Sequence, residues 1–405
     1  MPYDKNTDAL REGHEDSLHR KRASTLSSKP LCMVWIGERQ ARTAYLQTLK
    51  REAAWFGFDA AIVTTPQLLE VLQTIERSAV VYNRLGTRKD ESQSAVVQCK
   101  QMLDARKIPY FNPSFLSKRD VSIWLHQDDQ ASALLPDTTS HFSEDDVKEF
   151  LKRYPLVFIK PTDGSFGEGI VRIAREAGRV VMAERRGRRV VSTTFESISA
   201  LAKHVTRTRS ATCVLQEGIQ LRSVQGCPTD FRVHLCKDGE GQWRIAGSAA
   251  KIARRDAITT HVYSGGHVDA AEQVLRGWYG ARALTMRERI DQSAITIGRA
   301  LERFVSGSLG ELGLDMGISA DDRIVLFEAN AKPGRTIFHH PSLKNQAAAS
   351  RRMLLSFAAS LTRPPQNRLK PKLDTSLPKN ESGTPFEEST TQESASFETY
   401  GSRAR

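Results

Sequence analysis

Two stretches of this 405-residue chain carry residue types suited to chemistry on phosphate. The first, "VFIKPTDGSFGEGI" at 157–170, runs from a short apolar strand into Lys160 and then a loop holding Gly164, Ser165, Phe166, Gly167 and Gly169. Glycine lets backbone amides approach an anion closely, because no Cβ stands in the way. A dinucleotide-binding turn needs G-x-G-x-x-G, and a P-loop carries its lysine after the glycines, followed by Ser or Thr. Here the lysine comes first, so neither template applies.

The second stretch is "LGELGLDMGISADDRIVLFEANAKPGR", 309–335. Leu312, Leu314, Met316 and Ile318 fall at alternate positions, as do Ile324, Leu326, Glu328 and Asn330. That pattern predicts an antiparallel hairpin whose turn, "ADDR", is bracketed by Ser319 and Ile324. In this register Asp315 falls directly opposite Glu328, and Asn330 shares the Glu328 face. Like charges so placed repel unless water or a cation screens them. A hard cation takes oxygen ligands and is typically held by one or two carboxylates plus substrate phosphates. Lys332 and Arg335 follow at once, adding cations beside the acids, and favour a metal site over a solvated acidic face. Asp315, Glu328 and Asn330 are thus candidate ligands for Mg²⁺ or Mn²⁺.

The elements that would position these residues are legible as patterns. Residues 1–29 are polar without sustained apolar period and read as a flexible head; 363–405 is Pro-, Ser-, Thr- and Glu-rich and reads as a disordered tail. Between 30 and 112, strands "LCMVWIG", "DAAIVT" and "SAVVYNR" alternate with helical stretches at 39–56, 66–76 and 91–106, the signature of a small parallel α/β domain. From 113 to 215 a small lobe with its linker is expected, the short β-branched strands of 157–195, separated by Gly- and Arg-containing turns, predicting an antiparallel sheet. From 216 to 362 come longer strands (230–236, 243–252, 309–318, 324–330), a helix over 284–305 and a last helix over about 343–361. The fold class is therefore α/β, built of α+β lobes.

Composition bounds the partners. The net charge is +12 with a pI near 9.5, which fits an anionic partner or, equally, an arginine-rich solvated surface. No apolar run approaches the roughly 18 residues of a membrane span, and no signal-peptide pattern opens the chain. The five cysteines are scattered without a C-x-x-C, against both a disulfide framework and a zinc site. A cytoplasmic location is expected.

A lysine before a glycine loop on a small antiparallel sheet, followed by a carboxylate hairpin ending E-x-N, resembles the ATP-grasp superfamily. More narrowly the chain resembles its YheC/YheD-type, endospore coat-associated branch, through "VVYNRLGTR", "FNPSFLSKRD", "FIKPTDGSFGEGI", "LQEGIQL", "DFRVHLCKDGEGQWRI", "YSGG", "LGLDMGI" and "EANAKPG". The resemblance runs from about Leu31 to Leu361. It implies an N-terminal Rossmann-like pre-ATP-grasp domain, a small lid lobe and a larger metal-bearing lobe. It implies Lys118 and Lys160 on the nucleotide phosphates, Gly164–Gly169 as the flap over them, and Gln216, Glu217, Gly218 and Ile219 as the segment reading adenine. It further implies Arg232 as a transition-state cation and Asp315, Glu328 and Asn330 as metal ligands. The implied reaction is ATP-dependent joining of a carboxylate to an amine or thiol through an acylphosphate.

Phosphoryl transfer needs positioning and charge neutralisation rather than a nucleophilic side chain, and no Ser/His/Asp or Cys/His arrangement is evident. Arg254 or Arg255 could stabilise an oxyanion, and Lys332 is a further catalytic candidate. Related ligases carry an asparagine and a basic residue ahead of a Gly-Gly pair, whereas "TTHVYSGG" offers His261 and Ser264 before Gly265 and Gly266, so the acceptor site departs from the pattern. Arg84 and Arg88, after a strand of the first domain, are candidates to hold substrate carboxylates, as is Arg335. The substrate expected is a peptide, amino acid or acidic polymer end, with spore-coat association suggested by the family name. Two rivals remain: a catalytically silent ATP-binding scaffold or coat component, and a basic nucleic-acid-binding protein. The arginine-dense hairpin 175–189 lacks stacking aromatics and reads as a solvated turn rather than a nucleic-acid surface. His339–His340 reads as a packing or surface pair, and the five tryptophans as core or edge residues. Oligomeric state is open, a homodimer included.

Overall fold

The first strand, β1 (Leu31–Trp35), is apolar at every position because it is covered on both faces. Cys32 and Val34 join one core cluster; Met33 and Trp35 join another on the opposite face. With β2 (Asp59–Val63), β3 (Ala79–Asn83) and β4 (Tyr110–Phe111) it forms a parallel sheet in the order β2-β1-β3-β4. Helices Thr65–Thr74 and Ser94–Ala105 cover one face through Leu68, Leu72, Val96, Cys99 and Leu103. The other face takes Leu46 and Leu49 of helix Ala44–Glu52 and also Leu354, Leu355 and Phe357 of helix Lys344–Thr362. The last described helix thus returns to complete the first sheet. The computed structural model describes residues 28–363 except 163–168, 177, 187–188, 210–212, 255–256 and 259–265. The expected head and tail, Gly164, Ser165, Phe166, Gly167, Arg255, His261, Ser264 and Gly265 therefore lie outside the described residues, save that the head's last two residues and Arg363 are described.

A second sheet comprises β5 (Thr138–Ser140), β6 (Leu156–Pro161), β7 (Val171–Glu176), β8 (Arg179–Arg186), β9 (Arg189–Phe195) and β10 (Cys213–Glu217). Its order is β5-β10-β6-β7-β8-β9, with every neighbouring pair antiparallel. Helices Glu144–Arg153 and Ile198–Arg209 pack on one face through Val147, Leu151, Leu201 and Val205.

The third sheet holds β12 (Cys227–Lys237), β13 (Trp243–Ile252), β14 (His267–Ala270), β15 (Glu311–Ile318) and β16 (Ile324–Asn330) in the order β14-β13-β12-β15-β16, with the short β11 (Ser223–Val224) on β12. Helix Ala283–Glu302 buries Ile290, Ala294, Ile297 and Leu301 against it, the spacing the sequence shows. Leu116, Val121, Leu125, Ala131 and Leu135 belong to this same core. Of the segment 113–215 expected as small lobe with linker, residues 116–135 thus pack with the large lobe, and the small sheet begins at Thr138. Trp35 and Trp243 are core residues, but Trp55 is 69% exposed, beyond an edge position.

The β15–β16 hairpin is tighter than the sequence suggests. Ile318, not Ser319, opposes Ile324, while the Ser319 amide donates to the Arg323 carbonyl at 2.9 Å inside the turn. A bulge then inserts Phe327, so that Met316 faces Leu326 while Asp315 faces Glu328.

Candidate nucleotide and cation site

The bulge delivers Glu328 and Phe327 to a cleft between the second and third sheets, lined also by Lys118, Thr138, Lys160 and Gln216. Lys118 is the first residue of helix Lys118–His126, where Ser117 caps by accepting from the Asp120 amide at 3.0 Å. A cation at a helix N-terminus adds to the positive end of the helix dipole, so the position favours an anion. Its Nζ lies 3.1 Å from Glu328 Oε1.

Lys160 stands on β6 with its Nζ over the rings of Phe158 (5.6 Å) and Phe327 (5.5 Å). It donates to Gln216 Oε1, and Gln216 Nε2 donates to Thr138 Oγ1 at 2.9 Å. Burial pushes its ammonium down to about 8, partly opposed by Glu328. Gly169, at φ +71°, closes the glycine loop, and a Cβ there would lie 2.9 Å from Pro161 Cγ.

The segment after β10 is tightly specified. The Glu217 amide donates to Asp137 O and the Gly218 amide to Leu156 O, both at 2.8 Å. A Cβ on Gly218 would meet the Leu156 backbone at 2.6 Å. The Glu217 carboxylate accepts from Arg323 at 2.9 Å and from the Asp137 amide at 3.1 Å. Ile219 is buried, and among the described residues its amide has no partner.

Beneath the cleft, Arg232 on β12 stands opposite Asp315 on β15 and grips it with two bonds, Nε–Oδ1 2.8 Å and Nη2–Oδ2 2.9 Å. Gly313 permits this: a Cβ there would lie 2.8 Å from the Arg232 guanidinium. Lys251 on β13, which the sequence reading passed over, adds contacts of 2.8 Å to Asp315 and 3.3 Å to Asp230. Its signal was a single charge inside the otherwise small and apolar "GSAAKIA". Burial alone would raise the Asp315 carboxyl, but Arg232 and Lys251 hold it well below the usual carboxylate range. The donor set of Asp315, Glu328 and Asn330 suits a hard divalent cation. All are oxygens, and three N–H bonds do not exhaust the four lone-pair positions of the Asp315 carboxylate. Glu328 is 31% exposed and so reachable from the cleft.

The remaining candidates lie elsewhere. Arg84 and Arg335 both contact the fully buried Glu311, at 2.8 and 3.1 Å, in a cluster with Tyr82 and His234 that sequence reasoning missed. Arg84 also donates to the Pro333 carbonyl, and Arg335 stacks over Tyr45 at 4.1 Å. Both guanidinium groups are thus committed to protein partners rather than turned to the cleft. Arg88 donates to Leu116 O at 2.5 Å and lies over Phe115. Lys332, its side chain 2% exposed, donates to Asn83 at 2.7 Å and to Glu91. Burial outweighs Glu91 and brings that ammonium to about 7. Arg254 is exposed, and Gly266 sits against the Ile252 carbonyl.

Residues 107–361 match the YheC/D-like ATP-grasp family. The endospore coat-associated protein YheD of Bacillus subtilis (strain 168) is 32% identical over 290 residues, 70% of this chain and 63% of that protein. This chain thus spans under two thirds of that relative's length. Endospore coat-associated protein YheC of the same organism is 22% identical over 318 residues, 73% of this chain and 86% of YheC. Among solved structures, the C-terminal domain of K. lactis Pby1, an ATP-grasp enzyme interacting with the mRNA decapping enzyme Dcp2, is 13% identical, covering 83% of this chain and 95% of that one at a TM-score of 0.49.

Proposed function

Since this chain belongs to the YheC/D-like ATP-grasp family, we propose that it is an ATP- and divalent-cation-dependent ligase joining a carboxylate to an amine or thiol. The observation that carries this reading is the opposition of Asp315 and Glu328 under a cleft that also holds Lys118 and Lys160. Lys160 and Lys118 would take the nucleotide's phosphates, and the Ile219 amide would meet the adenine edge. Asp315, Glu328 and Asn330 would hold Mg²⁺ or Mn²⁺, which when bound neutralises phosphate charge. A substrate carboxylate oxygen would attack the γ-phosphorus as its bond to the ADP oxygen breaks, leaving an acylphosphate. The amine or thiol would then attack the acyl carbon and release phosphate, with its proton passing to solvent. Arg232, already aligned by Asp315, would meet the charge that develops. The substrate would be a peptide, amino acid or acidic polymer end. Coat association comes from the relatives' names; no helix among the described residues is long and apolar enough to cross a membrane.

Calorimetry of ATP binding with and without Mg²⁺, on wild type and on Glu328→Ala, tests this. Binding that needs both the cation and Glu328 is expected, followed by ADP release in a screen of acid–amine pairs. Tight binding indifferent to both would reassign the chain as a silent ATP-binding scaffold. No binding would end the nucleotide reading.

A further inference from the structure

The strand β9, "RVVSTTF", is last in its sheet and, among the described residues, pairs only with β8. Arg189 to Thr194 are all exposed, Val190 at 43% and Val191 at 36%. Proteins ordinarily blunt such an edge with charges, proline, bulges or a covering element. Between Val190 and Thr194 there is no charge, proline or glycine, and the β8–β9 register is unbroken.

The register fixes which backbone groups point outward. Arg186 opposes Arg189 across two residues, so this pair closes the hairpin with mutual hydrogen bonds. Bonded and non-bonded pairs then alternate. Arg189, Val191 and Thr193 bond to β8, while the amides and carbonyls of Val190, Ser192 and Thr194 face the open side.

The charge around this edge is mainly positive, the exposed Glu196 just beyond the strand apart. The three strands β7, β8 and β9 carry Arg172, Arg175, Arg179, Arg185, Arg186 and Arg189 against only Glu176 and Glu184. Glu184 is already taken by Arg186 and Arg209, each at 2.5 Å. Arg175, Arg179 and Arg189 are exposed and have no acidic partner among the described residues. A second copy of the chain would bring the same arginines against these. A nucleic acid would leave the row of amides and carbonyls unpaired.

We propose that the open edge of β9 is a docking site for an extended acidic peptide, which adds to the sheet as a further strand while its carboxylates meet the flanking arginines. Main-chain pairing at Val190, Ser192 and Thr194 supplies the attachment, and the arginines supply the selectivity. This does not depend on the ligase reading.

The probe is a labelled peptide of alternating Glu and Thr, followed by fluorescence anisotropy and by hydrogen exchange of the full chain. Binding that weakens with salt is expected, together with slowed exchange at Val190, Ser192 and Thr194. Ser192→Pro removes an outward amide without touching the β8 ladder, and should weaken binding about tenfold while leaving ATP affinity unchanged. Arg189→Glu should weaken it with the hairpin's own exchange pattern intact. Peptide binding with those three amides still fast would reduce the site to diffuse charge attraction and overturn the proposal. So would preferential binding of DNA of equal charge, self-association that protects β9 in place of the peptide, or no binding at all.

Discussion

Asp315 and Glu328 stand opposite each other across two strands, and the ladder reaches that pairing only by looping out Phe327. The same bulge turns Phe327 beneath the Lys160 ammonium, 5.5 Å from the ring centre. One inserted residue thus sets both the carboxylate pair and an apolar wall of the cleft, and that wall helps desolvate the lysine.

Desolvation makes Lys160 a titrating group near neutrality. With its pKa brought down to about 8, the free protein loses this charge as pH rises past that value. A bound phosphate favours the charged form, so ATP affinity should fall about tenfold per pH unit above 8. Calorimetry between pH 6.5 and 9.5 checks this, with Lys160→Met expected to bind weakly and without that slope. A flat wild-type profile would mean that Lys160 does not contact the nucleotide.

The Glu311 cluster makes a stability prediction. Burial holds His234 at about 4, below its ordinary 6.5, while Arg84, His234 and Arg335 overcome burial to bring Glu311 to about 2 from 4.5. In both cases the unfolded chain binds more protons across the interval, so stability rises with pH there. Urea midpoints should therefore fall progressively as pH drops from 6.5 toward 4, and further below 4.5. His234→Asn should flatten the upper limb. An unchanged wild-type midpoint between pH 7 and pH 5 would contradict the assignment.

Gly218→Ala tests the segment that joins the two lobes. Its Cβ would lie 2.6 Å from the Leu156 backbone, a contact that only a shift of β6 against β10 can relieve. A loss of about 1–3 kcal/mol in chemical denaturation is expected, with weaker ATP binding because Lys160 rides on β6. Wild-type stability and affinity together would show that the segment yields freely.

The parts of this molecule written in alternation were open to reading. The parallel strands, the helix over Ala283–Glu302 and the opposition of Asp315 to Glu328 all follow from periods of 2 or 3.6. The bulge did not, because a hairpin one residue tighter and a bulge of one residue cancel in the numbering. Lys251 and Glu311 were missed because their roles come from neighbouring strands far away in sequence. Arg84 and Arg335 sit where strand-end logic favours a ligand, yet a buried carboxylate more than two hundred residues from Arg84 claims both. Whether a charge faces solvent, substrate or an internal counter-charge is decided by tertiary neighbours, which local pattern does not carry.

The Glu311 carboxylate, fully enclosed, draws its partners from two sheets: Tyr82 and Arg84 after or within β3, His234 on β12, and Arg335 beyond β16. Neither body can be exchanged for a homologous one without carrying its half of this charge balance. A graft that supplied the carboxylate but not both guanidinium groups would trap an ion in a dry interior. The two must therefore be inherited, engineered and expressed as one piece, and a chimera should exchange only the intervening second sheet, Thr138 to Glu217.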